Sequence, residues 1–167
     1  VPENRDFAEF YAAAFPNLTG ALFMHTGDLG EAQDVVQEAM IQALRRWAVV
    51  STYEEPAAWV RRVAWNLATS RWRRLRRGLE LAARGWANDA VAGPDPDRVA
   101  IVRALAELPP NQRQAVILHY LEDLPVAETA ELMGVAEGTV KSWLHRGRAR
   151  LAVLLGDAAL GGELENV

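Results

Sequence analysis

The side chains best placed to do chemistry in this sequence are arginine, tryptophan and asparagine. Residues 45–77 hold nine arginines against two acids, a net charge of +7, together with four of the chain's six tryptophans. Arg62, Asn66, Thr69 and Arg73 recur at four-three-four spacing, which places them on one polar stripe of a helix. Arg61, Trp65, Trp72 and Arg76 form a second, mixed stripe. A core needs a single apolar stripe, and Trp59, Val60, Val63 and Leu67 supply one, so Trp65 and Trp72 are surplus to it. Indole rings flanked by guanidinium groups suit stacking on unpaired bases, with cations beside them for the phosphates. Asn66 has the donor–acceptor pair that reads a base edge. The plainer alternative is a solvated arginine face with tryptophans in a wider core.

A second basic constellation lies near the C-terminus. Residues 141–156 carry one lysine and three arginines with no acid, a net charge of +4. They follow Pro125-Val-Ala-Glu-Thr-Ala130-Glu-Leu-Met-Gly134-Val, which has helix-turn-helix spacing. Ala130 is small where two helices cross, and Gly134 suits the positive φ of a helix end. The following helix buries Val140, Leu144, Gly147 and Leu151 and turns Lys141, Ser142, His145, Arg146 and Arg148 outward. That is the layout of a recognition helix aimed at base edges in a major groove. An ordinary helical hairpin with a basic rim is the plainer reading.

Catalytic chemistry has little to stand on. Cysteine is absent, so disulfides, thiolate metal sites and a cysteine nucleophile are excluded. His25, His119 and His145 lie far apart without metal-ligand spacing. The serines are Ser51, Ser70 and Ser142, none in a nucleophile motif, and Gly-rich phosphate loops are missing. His119 sits on a largely apolar helix and reads as structural. The expectation is no enzyme, no cofactor, no metal and no small-molecule substrate.

The elements that must position these residues are helical throughout. Apolar residues recur at three and four rather than two. A first helix covers 5–15, is interrupted by Pro16, and resumes to about Met24. Thr26-Gly27-Asp28 makes a capping turn. A helix from Leu29 to Trp47 buries Val36, Met40, Ala43 and Trp47, residues 49–55 form a loop, and Pro56 opens a long helix to about Arg77. Glycines and prolines at 78, 85, 93, 94 and 96 mark a linker. A second helical set follows at 98–108, 110–122, 125–133 and 136–155. The expected fold is all-α: two small helical domains, 1–77 and 98–155, joined by a flexible acidic linker, 78–97, and followed by an acidic tail, 156–167.

With 167 residues, half of them apolar, the chain can bury real cores. Its net charge of −4 conceals alternation. Residues 1–44 carry −6, residues 78–140 carry −6, and the last eleven residues carry −3, around the two positive blocks. No apolar run approaches membrane-spanning length and no secretory pattern opens the chain, so a soluble cytoplasmic protein with no membrane partner is expected.

These pieces, in this order, resemble the extracytoplasmic-function sigma factors of bacterial RNA polymerase. Asp34-Val-Val-Gln-Glu38 with the run to Trp47 is similar to sigma region 2.2. Trp59-Val-Arg-Arg-Val-Ala-Trp-Asn66-Leu-Ala is similar to regions 2.3 and 2.4. Leu108-Pro-Pro-Asn-Gln-Arg113 resembles region 4.1, and the stretch from Gly134 to Leu151 resembles region 4.2. The resemblance implies core RNA polymerase (β′ clamp and β flap) and promoter DNA as partners, with an anti-sigma factor as a further partner class. It implies that Asp34, Gln37 and Glu38 meet the β′ clamp. It sets Asn66, with Arg61, Arg62, Trp65, Thr69, Trp72 and Arg73, near the −10 element, and Tyr53 in the loop that captures a flipped base. It sets Lys141, Ser142, His145, Arg146 and Arg148 against the −35 element.

Four residues depart from the family pattern. Ser70 stands where Asp is frequent, Trp143 where Arg is frequent, Gly147 where Ala is common, and Thr129 where an aliphatic is usual. Gly147 carries a helix-propensity cost of about 1 kcal/mol, and Thr129 thins the helix-turn-helix core. The competing function is a stand-alone helix-turn-helix regulator with an N-terminal interaction domain. The Arg/Trp stripes argue against it, because a sensor domain has no need of them.

Overall fold

The computed structural model describes residues 2–79 and 96–156, with side chains for 6–75 and 97–156. The expected linker and tail fall almost wholly outside the described residues, as does the Arg76 side chain. Every regular element among the described residues is helical. The chain divides into two compact units, Val1–Ala87 and Asn88–Val167.

The first unit holds α1 (Pro2–Thr26), α2 (Leu29–Arg45), α3 (Trp47–Val50) and α4 (Pro56–Leu79). Pro16 was expected to break the first helix, yet α1 runs through it. Proline removes one N–H, here the donor to the carbonyl of Ala12. Both residues are exposed, so that carbonyl is open to solvent, while Leu18, Ala21 and Leu22 are buried beyond the proline. Asp28 caps α2 by accepting from the Glu31 N–H at 3.0 Å, and Gly27 supplies the positive φ before it.

The second helix ends at Arg45 rather than at Trp47. The break at Arg46 starts α3 and seats Trp47 against Phe7 and Phe10, with ring centroids 5.1 and 5.0 Å away. Aromatic packing of that kind adds to simple burial. As a result the turn before α4 spans only residues 51–55.

The core face of α4 also differs from expectation. Val60, Ala64, Trp65 and Ala68 are buried, while Trp59, Val63 and Leu67 are only half-buried. Two alanines let α4 pack closely on α2, whose buried side is Ala32, Val35, Val36, Ala39, Met40 and Ala43. Sequence spacing set the inward face on Trp59, Val60, Val63 and Leu67, and the packing turns it to Val60, Ala64, Trp65 and Ala68.

The second unit holds α5 (Pro96–Ala106), α6 (Pro110–Val116), a π-helical turn (Ile117–Leu121), α7 (Val126–Met133) and α8 (Glu137–Leu155). Arg113 is its central polar residue. The side chain is only 4% exposed, and its guanidinium donates to the carbonyls of Leu108 at 3.0 Å and Ala106 at 3.4 Å. The Ala106 carbonyl is one that the C-terminus of α5 leaves open, and the Leu108 carbonyl lies in the turn before α6. Burial lowers the Arg113 pKa to about 10, so the group stays charged at neutral pH.

In the π turn, His119 Nδ1 lies 2.7 Å from the Leu124 carbonyl. A carbonyl only accepts, so Nδ1 carries the proton and the ring closes the loop into α7. Gly134 ends α7 with φ 68° and ψ 35°. Val135 N–H donates to the Ala130 carbonyl and Gly134 N–H to that of Glu131, a Schellman motif. Thr129 is fully buried, with Oγ1 at 3.5 Å from the Leu124 carbonyl. Its hydroxyl therefore has an acceptor inside the helix-turn-helix core.

Arg113→Ala is expected to lower the unfolding free energy by about 1–3 kcal/mol, because a buried carbonyl and a part-buried one lose their donor. The measurement is the urea midpoint, and an unchanged midpoint would show the guanidinium to be dispensable.

Candidate nucleic-acid interface

Three helical faces carry the residues singled out by sequence. On α4, opposite Val60, Ala64 and Ala68, Arg62, Asn66 and Arg73 are exposed and Thr69 is half-buried. Ser70 and Arg74 widen this exposed face. Arg61 is half-buried nearer the core side and sits 4.0 Å from Glu55. Tyr53 is 44% exposed in the turn that leads into the helix. That turn is pinned, since Thr52 Oγ1 donates to the Val49 carbonyl at 2.6 Å and the Tyr53 N–H to that of Val50 at 3.1 Å.

Trp65 requires a correction. It is 1% exposed and meets the His25 ring edge-on at a centroid distance of 5.1 Å. An indole so enclosed cannot stack on a base; it is a core residue. Trp72 is half-buried on the same side of the helix as Trp65, away from Asn66. The aromatic that shares the Asn66 side is Trp59, seven residues earlier and half-buried. Sequence reasoning assigned Trp59 to the core. The signal that separates the two tryptophans is Ala64 and Ala68 at four-residue spacing from Val60, which marks the close-packed face.

On α2, Asp34 and Gln37 are exposed opposite the buried stripe. Glu38 is half-buried and accepts from Arg71 of α4 at 2.5 Å. It is thus engaged within the unit, where it ties the two long helices together. Ile41 and Leu44, at the same helical side as Asp34 and Gln37, are exposed apolar residues that sequence reasoning passed over. Their spacing matches the outer stripe and not the core stripe, and that was the available signal.

On α8, the expected burial of Val140, Leu144, Gly147 and Leu151 is what the structure has. Lys141, His145 and Arg146 are exposed and Ser142 is half-buried on the outer side. Arg148 is half-buried rather than fully outward, because it stands at the flank next to the buried stripe. Arg150 is exposed and extends the basic face, and Trp143 is half-buried beside it. Among the described residues no group of three His, Cys, Asp or Glu could hold a metal ion, and no helix is long and apolar enough to cross a membrane.

Comparison with known proteins bears on these faces. The family described as Sigma-70 region 2 matches residues 10–78, and Sigma-70, region 4, matches residues 98–151. The RNA polymerase sigma-E factor of Streptomyces avermitilis is 36% identical over 125 residues, covering 72% of this chain and 69% of that protein. The ECF RNA polymerase sigma factor SigM of Mycobacterium tuberculosis is 37% identical over 133 residues, 75% of this chain and 65% of that protein. Among solved structures, the sigma factor RpoE of Bartonella quintana, in complex with the anti-sigma factor NepR, is similar with a TM-score of 0.76. It is 26% identical, and the match covers 90% of this chain and 97% of that one.

Trp65→Ala is expected to cost about 3–5 kcal/mol, the range for emptying a buried aromatic site. Denaturant unfolding of the full chain measures it. A loss below about 1 kcal/mol would return Trp65 to the surface.

Proposed function

Because this chain belongs to the extracytoplasmic-function sigma factors of bacterial RNA polymerase, the subunits that direct promoter-specific initiation, we propose that its two units divide the promoter between them. The outer side of α2 meets the polymerase clamp through Asp34 and Gln37, with Ile41 and Leu44 adding apolar contact. The outer side of α4, with Arg62, Asn66 and Arg73, lies along the −10 element, and Tyr53 stands where a flipped base is received. In the second unit α8 enters the major groove of the −35 element. The acidic segment 78–97 threads into the polymerase between these grips. Two DNA modules on one tether also reinforce each other when both engage.

The observation that carries this reading is the division of α8. Lys141 and Arg146, with His145, are exposed outside a continuous buried stripe, so these side chains are held by a fixed support. Chemistry remains with the polymerase, and the chain contributes binding, strand capture and register. Acting on RNA polymerase places it in the bacterial cytoplasm. An anti-sigma factor is a further partner in this proposal, supported by the relative solved with NepR.

Run-off transcription with core polymerase on a genomic library tests the reading and reports the promoter sequence together with activity. Lys141→Ala and Arg146→Ala are each expected to lower affinity for the cognate promoter by about 5-fold or more, the equivalent of one lost base contact. Unchanged binding and transcription in both variants would refute the assignment of α8. For α4, Arg62→Ala should lower the magnitude of the log–log salt slope for binding the single-stranded −10 sequence by about 0.7, one phosphate's share. An unchanged slope would remove Arg62 from the strand path.

A further inference from the structure

On the side of α8 turned away from its exposed cations, the buried Gly147 sits tightly against α6. A Cβ at that position would stand 2.8 Å from Val116 Cγ2, and 3.8 Å from both the Gln112 carbonyl oxygen and Leu108 Cδ1. Carbon atoms rest at about 3.5–4.0 Å, so even one methyl group does not fit. Val116 is poorly able to give way. It is 5% exposed, β-branched, and the last residue of α6 before the π turn. The Gln112 oxygen is backbone, and Leu108 is 2% exposed. Arg113 anchors this end of the unit through the carbonyls of Ala106 and Leu108. The proposed recognition helix therefore lies directly against α6, with the Val116 side chain in the space that a side chain at position 147 would need.

We propose that Gly147 is a positioning residue for −35 recognition, resting on the reading of α8 as the recognition helix. The missing side chain sets how far Lys141, His145 and Arg146 stand from the body of the unit, and therefore their reach toward base edges. Base readout depends on hydrogen bonds whose length and angle tolerate little change. Phosphate attraction falls off slowly and tolerates a shifted helix. Pushing α8 outward by a methyl group thus penalises sequence discrimination more than affinity for DNA in general. The glycine's weak helix propensity is the accompanying cost, and the close approach explains why alanine would not simply improve the helix.

The test uses the full chain bound to core polymerase. One probe is a promoter duplex selected by the wild-type complex from a randomised pool, and the other is the same duplex with its −35 half scrambled. Gly147→Ala is expected to lower the preference for the selected duplex by about 5-fold or more, the equivalent of one base contact. Affinity for the scrambled duplex should hold within about twofold. Val116→Ala in the same chain makes room for the methyl group and should restore the preference. Val116→Ile enlarges the other side of the contact and should show the same loss, which serves where Gly147→Ala does not fold. An unchanged preference in Gly147→Ala, even with a lowered melting temperature, overturns the proposal and leaves the glycine a packing residue. If Arg146→Ala also keeps the full preference, the reading of α8 as recognition helix has failed instead.

Discussion

A helix that carries cations along its length can offer them to DNA only if something apolar holds its other side in place. That constraint governs both units. In α4 the holding side is Val60, Ala64, Trp65 and Ala68, and in α8 it is Val140, Leu144, Gly147 and Leu151. Each buried stripe fixes the rotation of its helix, and rotation decides which side chains meet solvent. Arg62, Asn66 and Arg73 are outward because the alanines are inward. The same rule takes Trp65 out of any binding surface and brings Trp59 to the Asn66 side.

Polar groups within each unit serve this positioning. Arg113 costs desolvation, visible in its lowered pKa, and gives back hydrogen bonds to carbonyls at the end of α5 and in the turn beyond it. His119 closes the π turn onto Leu124. Glu38 and Arg71 join α2 to α4 with both side chains partly exposed, so the pair contributes specificity of packing more than stability. Of these groups Arg113 is the buried one, and its bonds hold the turn between α5 and α6. A rigid support matters most beneath α8, the helix proposed to read base edges, because hydrogen bonds tolerate only shifts far smaller than a helix diameter.

The charge pattern is consistent with this division of labour. The positive blocks coincide with α4 and α8, while the chain as a whole is acidic. A net negative charge restrains indiscriminate attraction to nucleic acid, and local positive faces supply it where the geometry is fixed. Whole-chain charge therefore carried information about solubility and none about the partner.

Much of this protein was legible in its residues. Helical periodicity gave the all-α class and most element boundaries, because 3.6-residue repetition is a local property. The Gly134 cap and the buried stripe of α8 were legible for the same reason: a positive-φ glycine and a single apolar stripe leave little choice. Other features needed the tertiary structure. Which side of α4 faces inward depends on what lies opposite, and the packing takes in Ala64 and Ala68 together with Trp65 while leaving Trp59 half-buried. Pro16 survives inside α1 because the carbonyl it orphans is on an exposed turn of the helix. Gly147 reads from sequence as a weak helix former, yet its meaning lies in Val116, thirty-one positions earlier. Sequence determined what each helix is made of and which surfaces bear charge. The fold alone decided how each helix is rotated and how closely it lies on its neighbour, because contact between distant residues is set by packing and not by spacing.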